Sequence, residues 1–177
     1  MANLRIGDKA IPFNLAGVDG KNHSLADYTE KNATVVIFSC NHCPYVRAWE
    51  DRMVQIQADY EAKGVQLVAI NANDAAKYPD DSFPKMKDRA REKRFNFPYL
   101  RDEGQEVAND YGAARTPEVF LFDRLEVLRY HGAIDDNYDN PAAVKANYLR
   151  EALDAVLSGK VPPTPDTMPV GCSIKWK

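Results

Sequence analysis

Two cysteines and a histidine fall within four residues, Cys40-Asn41-His42-Cys43, and Pro44 follows at once. Thiols at this spacing can exchange with disulfides, ligate a soft metal ion, or supply one sulfur to attack a peroxide. A third cysteine, Cys172, lies near the end of the chain. An odd number of cysteines, two of them so close, argues against a structural disulfide framework. It points to redox or metal chemistry in a reducing compartment, so a cytoplasmic location is expected.

The flanking pattern says how the pair is positioned. Thr34-Val-Val-Ile-Phe38 is a short apolar, β-branched run that reads as a buried strand of a parallel sheet. Val46, Trp49, Met53, Ile56 and Tyr60 alternate three- and four-residue spacings and predict one apolar stripe along a helix. Pro44 suits the first turn of that helix and Gly64 suits its end. Val65 to Asn71 is then a second buried strand, completing a βαβ unit. The thiols thus sit where a strand ends and a helix begins, the usual place for a site in an open α/β sheet. Amide donors and partial positive charge at a helix start pull a thiol pKa below about 8.5. Cys40 is expected to stay exposed at the tip and attack, with Cys43 tucked into the first turn to resolve the mixed disulfide. A protonated His42 would stabilise the Cys40 thiolate further.

The rest of the chain reads as one α/β domain over residues 1–160. Asp19-Gly20 marks an N-terminal hairpin. Residues 72–84 read as a loop, and Asn71, Asn73 and Asp74 at the end of the strand before it and at its start cap turns or meet substrate. Helices are expected from Phe83 to Lys93 and Gln105 to Tyr111, with a short strand near Phe97 to Leu100 between them. Glu118 to Phe122 is a third apolar strand, with Val127 to His131 antiparallel to it. Asn140-Pro141 is expected to start a last helix with Val144, Tyr148, Ala152 and Val156 inward. Residues 161–177 form a proline-rich tail, extended and stiff, whose last residues include Ile174 and Trp176 as anchors that dock on the same domain.

Composition narrows the partners. The chain has 177 residues, a net charge of −3 and 28% charged residues. Its densest basic run, Lys85 to Arg94, is interrupted by acids and reads as a solvated helix face, so no nucleic-acid partner is expected. No apolar run approaches a bilayer span and the first residues carry no signal-peptide block, so no membrane partner is expected either.

The order strand, CxxC, Pro, long helix, strand, then Thr116-Pro117 before a further strand resembles the thioredoxin fold. The phrase Phe38-Ser-Cys-Asn-His-Cys-Pro-Tyr-Val46, with the opening hairpin, is similar to a redoxin of the alkyl hydroperoxide reductase and thiol-specific antioxidant branch. The tail Gly171-Cys-Ser-Ile-Lys-Trp176 is similar to a small group of thioredoxin-like proteins in that branch. The resemblance implies a central mixed sheet flanked by helices and a thiol–disulfide oxidoreductase that needs no organic cofactor. Its partners would be a disulfide-bearing protein or small molecule and a thiol reductant or reductase. Pro117 would be cis and lie across from the cysteines. Thr116 would offer its backbone to an extended substrate, with Asn41 and Pro44 beside it. Two departures bear on redox poise. Asn41-His42 stands in place of Gly-Pro, and Thr34 to Phe38 carries no acid to take a proton from Cys43.

A peroxidatic cysteine of this branch needs Pro-x-x-x-Thr-x-x-Cys. The Pro and Thr slots hold Ala33 and Ile37 before Cys40, Val36 and Cys40 before Cys43, and Pro165 and Pro169 before Cys172. The pattern fails three times, although Arg115 could supply a cation. A structural zinc site wants four ligands, and there is no second CxxC, so no metal site is expected; a copper-handling module on this fold is the remaining version. Cys172 reads either as a small buried hydrophobe or as a third redox thiol.

Overall fold

The computed structural model describes residues 3–177. A seven-stranded mixed sheet forms its centre, in the order β2-β1-β5-β4-β3-β7-β8. β1 (Asn14–Gly17) and β2 (Asn22–Ser24) form the expected hairpin. β3 (Ala33–Ser39), β4 (Val65–Asn71) and β5 (Tyr99–Arg101) run parallel. β7 (Glu118–Asp123) pairs antiparallel with β3, and β8 (Leu128–Gly132) antiparallel with β7. β6 (Arg115–Thr116) and β9 (Cys172–Ser173) form a separate two-stranded antiparallel ribbon.

The central strands are buried on both faces, which is why they read as continuous apolar runs rather than alternating ones. Val35, Ile37, Leu67, Ala69, Val119 and Leu121 belong to one core layer. It is filled by Trp49, Met53 and Ile56 of α1 (Pro44–Tyr60), Met86 of α2 (Phe83–Glu92), and Leu149 and Leu153 of α4 (Tyr148–Leu157). Val36, Phe38, Val68, Ile70, Phe120 and Phe122 belong to the other. There they meet Val107 and Tyr111 of α3 (Glu106–Tyr111), the N-terminal residues Phe13, Leu25 and Tyr28, and Ile174 from the tail. None of the described helices is long and apolar enough to cross a membrane.

The last helix differs from its expectation. Asn140 does cap a turn, accepting the Ala142 amide at 3.0 Å, but that turn covers only Pro141–Ala143. Val144 is extended, and the next residues bond back to the loop after β8: Asp136 N to Ala146 O at 3.1 Å and Lys145 N to Asp136 Oδ1 at 3.0 Å. These bonds hold the chain away from helical geometry until Tyr148. The inward stripe is therefore Leu149, Ala152 and Leu153, while Val144 and Tyr148 are only half-buried.

The proline-rich tail is tied along its length. His131 donates its amide to Pro165 O at 3.0 Å and accepts the Thr167 amide at 2.9 Å. Its ring bridges Glu118 and Asp166 at 2.7 and 2.8 Å. Thr167 Oγ1 meets the Tyr130 hydroxyl at 2.8 Å.

Candidate active site

β3 delivers Cys40 to the carboxyl end of the sheet, and Cys43 occupies the N-cap of α1 with Pro44 exposed at its first position. The loop between the sulfurs is fixed by Asn41. Its amide donates to Asp81 Oδ1 at 2.7 Å and its side-chain nitrogen to Asp80 O at 2.9 Å. Its side-chain oxygen accepts the Tyr99 hydroxyl at 2.7 Å, and its carbonyl accepts Arg47 Nε at 3.0 Å. This corrects the substrate-binding role expected for Asn41. The residue is 4% exposed and each of its polar groups has a partner within the protein, so it shapes the loop instead of facing substrate.

Thr116 faces both sulfurs. Its hydroxyl lies 3.5 Å from Cys40 Sγ, and its carbonyl oxygen lies 3.4 Å from Cys43 Sγ. The Thr116-Pro117 peptide is cis. Glu118 shapes the approach to it, accepting the Ala114 and Arg115 amides at 2.7 and 2.8 Å.

Cys43, 1% accessible, is tucked in as expected, but Cys40 is 2% accessible where exposure at the tip was expected. The cause is the tail. Thr116 pairs with Cys172 and Arg115 with Ser173, which lays β9 over the site. Ile174, 3% exposed, donates its amide to Ala114 O at 3.0 Å. Lys175 is held by Asn73 Oδ1, the Asp74 amide and the Gln105 side chain, at 2.9, 2.7 and 2.9 Å. Of the three free thiols, Cys172 alone keeps partial access to solvent. Arg115 belongs to the same cover, donating to Gly171 O at 3.1 Å.

Proton placement also departs from expectation. Donating a hydrogen bond to Cys43 raises the Cys40 thiol, and burial and the nearby Asp81 carboxylate raise it further; only the Thr116 hydroxyl among its main neighbours favours its thiolate. Cys43 is pulled down to about 4. That same hydrogen bond comes first, burial opposes it, and contacts from Cys172 and the Val46 amide support it. The helix start therefore favours a thiolate at Cys43, the cap residue itself. The place of Cys40 as the first cysteine carries no information on the tail that covers it or on the carboxylate nearby, which raise its thiol in the resting pair.

That carboxylate is the residue the sequence did not single out. Asp81 is fully buried. Besides Asn41, it accepts Asn71 Nδ2 at 3.3 Å and Asn73 Nδ2 at 2.9 Å, and its Oδ2 lies 2.5 Å from His42 Nδ1. His42 thus turns to Asp81 instead of aiming wholly at Cys40, with its ring parallel to Tyr78. Nothing in Pro79-Asp80-Asp81-Ser82 distinguishes the buried acid from the one before it. Donor atoms of Cys40, His42 and Asp81 lie within 4.8 Å of one another. Asp81 accepts three amide donors and faces His42 Nδ1, which ties its carboxylate to holding the cysteine loop.

The profile of the AhpC/TSA family matches residues 6–131. The chain belongs to that family. A conserved protein of Geobacillus kaustophilus, described as uncharacterized, superimposes with a TM-score of 0.93 at 46% identity, covering 98% of this chain and 93% of that one. A candidate thiol:disulfide interchange protein, DsbE, of Chlorobium tepidum gives a TM-score of 0.70 at 26% identity over 88% of this chain and 99% of that one. The thiol–disulfide oxidoreductase ResA of Halalkalibacterium halodurans is 26% identical over 128 residues, 72% of this chain and 68% of that protein. The architecture is thioredoxin-like, a mixed sheet flanked by helices.

Proposed function

We propose that this protein is a thiol–disulfide oxidoreductase in which Cys40 and Cys43 exchange two electrons with disulfide substrates. The observation that carries the reading is the placement of both sulfurs against one residue, Thr116, with its hydroxyl at Cys40 and its carbonyl at Cys43. Kinship with ResA supports it.

The geometry gives each group a step. In the reduced pair the proton rests on Cys40 and is donated toward the Cys43 thiolate. When a substrate disulfide reaches Cys40, that proton passes to Cys43, whose S–H then donates to Thr116 O. The Cys40 thiolate, supported by the Thr116 hydroxyl, attacks one substrate sulfur. The substrate S–S bond breaks, and the departing thiolate takes the Cys43 proton. Cys43, a thiolate again, attacks Cys40 Sγ and expels the second substrate thiolate, which is protonated from solvent. A disulfide now joins Cys40 and Cys43, and the substrate holds two thiols. An external thiol reductant resets the pair. Cys40→Ser abolishes reduction of insulin disulfides and Cys43→Ser accumulates a mixed disulfide at Cys40. Full turnover in the Cys40→Ser protein overturns the assignment.

This cycle belongs in a thiol-reducing compartment such as the cytoplasm, where it would serve redox homeostasis; an odd set of closely placed, unbridged cysteines supports that setting. Subcellular fractionation checks it.

A further inference from the structure

The tail occupies the place where the active-site backbone is free to pair with an incoming strand. β9 is antiparallel to β6, and the residue opposite Thr116 is a cysteine. Cys172 packs with Cys40, Cys43 and Val46, and its backbone and thiol both contact the Cys43 sulfur. Gly171 permits this approach. A Cβ at that position would lie 2.1 Å from Thr116 O, so a side chain before the cysteine would force the strand off. Arg115 holds the Gly171 carbonyl from the other side.

We propose that Gly171-Cys172-Ser173 is a built-in substrate, and that Cys172 is a third catalytic thiol that exchanges with Cys43 and carries the disulfide of the buried pair to the surface. This rests on the oxidoreductase reading above and extends it.

The step balances without an outside oxidant. After substrate reduction, Cys40 and Cys43 are joined. The Cys172 thiolate attacks Cys43 Sγ; the Cys43–Cys172 bond forms and the Cys40–Cys43 bond breaks. The electron pair stays on Cys40, which takes up the proton that Cys172 released. Oxidation level is unchanged, but the disulfide now includes the one cysteine with partial solvent access. A dithiol reductant attacks Cys172 there, releases Cys43 as a thiolate and closes its own disulfide. The donor loses two electrons, and Cys43 and Cys172 regain them.

The surroundings time the step. In the reduced protein burial, followed by the Cys43 sulfur, holds the Cys172 thiol up at about 11, opposed by Lys175 and Arg115. Closing the Cys40–Cys43 bond removes the Cys43 charge and leaves the two cations, so Cys172 becomes a better nucleophile only once there is a disulfide to attack.

Limited oxidation of the full-length protein with one equivalent of diamide, followed by disulfide mapping, tests this. Wild type is expected to yield peptides joined through Cys43 and Cys172. In Cys40→Ser that bond should account for nearly all the oxidised protein. In Gly171→Val it should vanish, with Cys40–Cys43 in its place and alkylation of the reduced pair faster by roughly tenfold or more, as the cover opens. If wild type forms only Cys40–Cys43 while Cys43 and Cys172 stay free in Cys40→Ser, the relay is overturned and the oxidoreductase reading stands. If no bond forms among the three cysteines, both fail.

Discussion

Asp81, beneath the cysteines, and Asp123, at the far end of the sheet, both gather hydrogen-bond donors, but they build different things. Asp81 has no exposed surface and joins Asn41 of the cysteine loop, His42, Asn71 at the end of β4 and Asn73 just after it. Asp123 is partly wet and serves only its own turn. It accepts the Leu125 and Val127 amides at 2.9 and 3.1 Å and pairs with Arg129 at 2.8 Å. A concavity of about 740 Å³ lies at that far end, lined by Asn32, Lys63, Asp123 and Leu125 among others, with no thiol in it. Size of cavity and site of chemistry are thus separated. The reactive end is closed by a strand, as suits a protein that pairs with extended chains instead of enclosing a small molecule.

The contrast can be broken experimentally. Asp81→Ala leaves two amides and a backbone N–H without an acceptor in the interior, and should cost about 3 kcal/mol in a urea melt. Asp81→Asn should recover part of that loss.

Acid should separate the two ends next. Cys43 has a folded pKa depressed from 9.0 to about 4, so its contribution to stability is complete above 9 and is lost as pH falls through about 4. Asp123, held below its ordinary 3.8 by Arg129 and the Val127 and Leu125 amides against burial, keeps its contribution until the pH drops below that value. Ultraviolet thiolate absorbance should show one thiolate persisting from neutral pH to about 4 in wild type and none over that range in Cys43→Ser.

Asp123→Ala should cost only about 1 kcal/mol, because water replaces part of what it supplied, and should leave insulin turnover unchanged. A loss equal to that of Asp81→Ala would erase the distinction. Smallest of all, Leu125→Ser at the exposed tip of the same turn should stay within about 0.5 kcal/mol of wild type.

What could be read from the chain follows from how local each cause is. The α1 stripe and the βαβ unit rest on periodicity, and Val46, Trp49, Met53, Ile56 and Tyr60 are all buried. The turn after β7 carries Arg124-Leu125, which is not hairpin chemistry. It closes through Glu126 at φ 61 and the two amides on Asp123. Non-local causes stayed hidden. Glu50 sits on the inner side of α1 because Arg89 of α2 reaches it with two nitrogens. Gln57 is buried because it accepts the Leu67 amide at 2.6 Å and donates to Val65 O at 3.1 Å. The burial of Cys40 depends on residues more than a hundred positions away.

One consequence of the strap over β8 concerns other copies of the chain. β8 is the outermost strand on its side, and such a strand presents free amides and carbonyls on which a neighbouring molecule can add a strand. Here the His131 amide and carbonyl are already spent on Pro165 and Thr167. Pro162, Pro163, Pro165 and Pro169 have no N–H, so the covering segment offers few donors of its own to extend the ladder. The segment that brings Cys172 to the thiols therefore also guards the open margin of the sheet against lateral self-association.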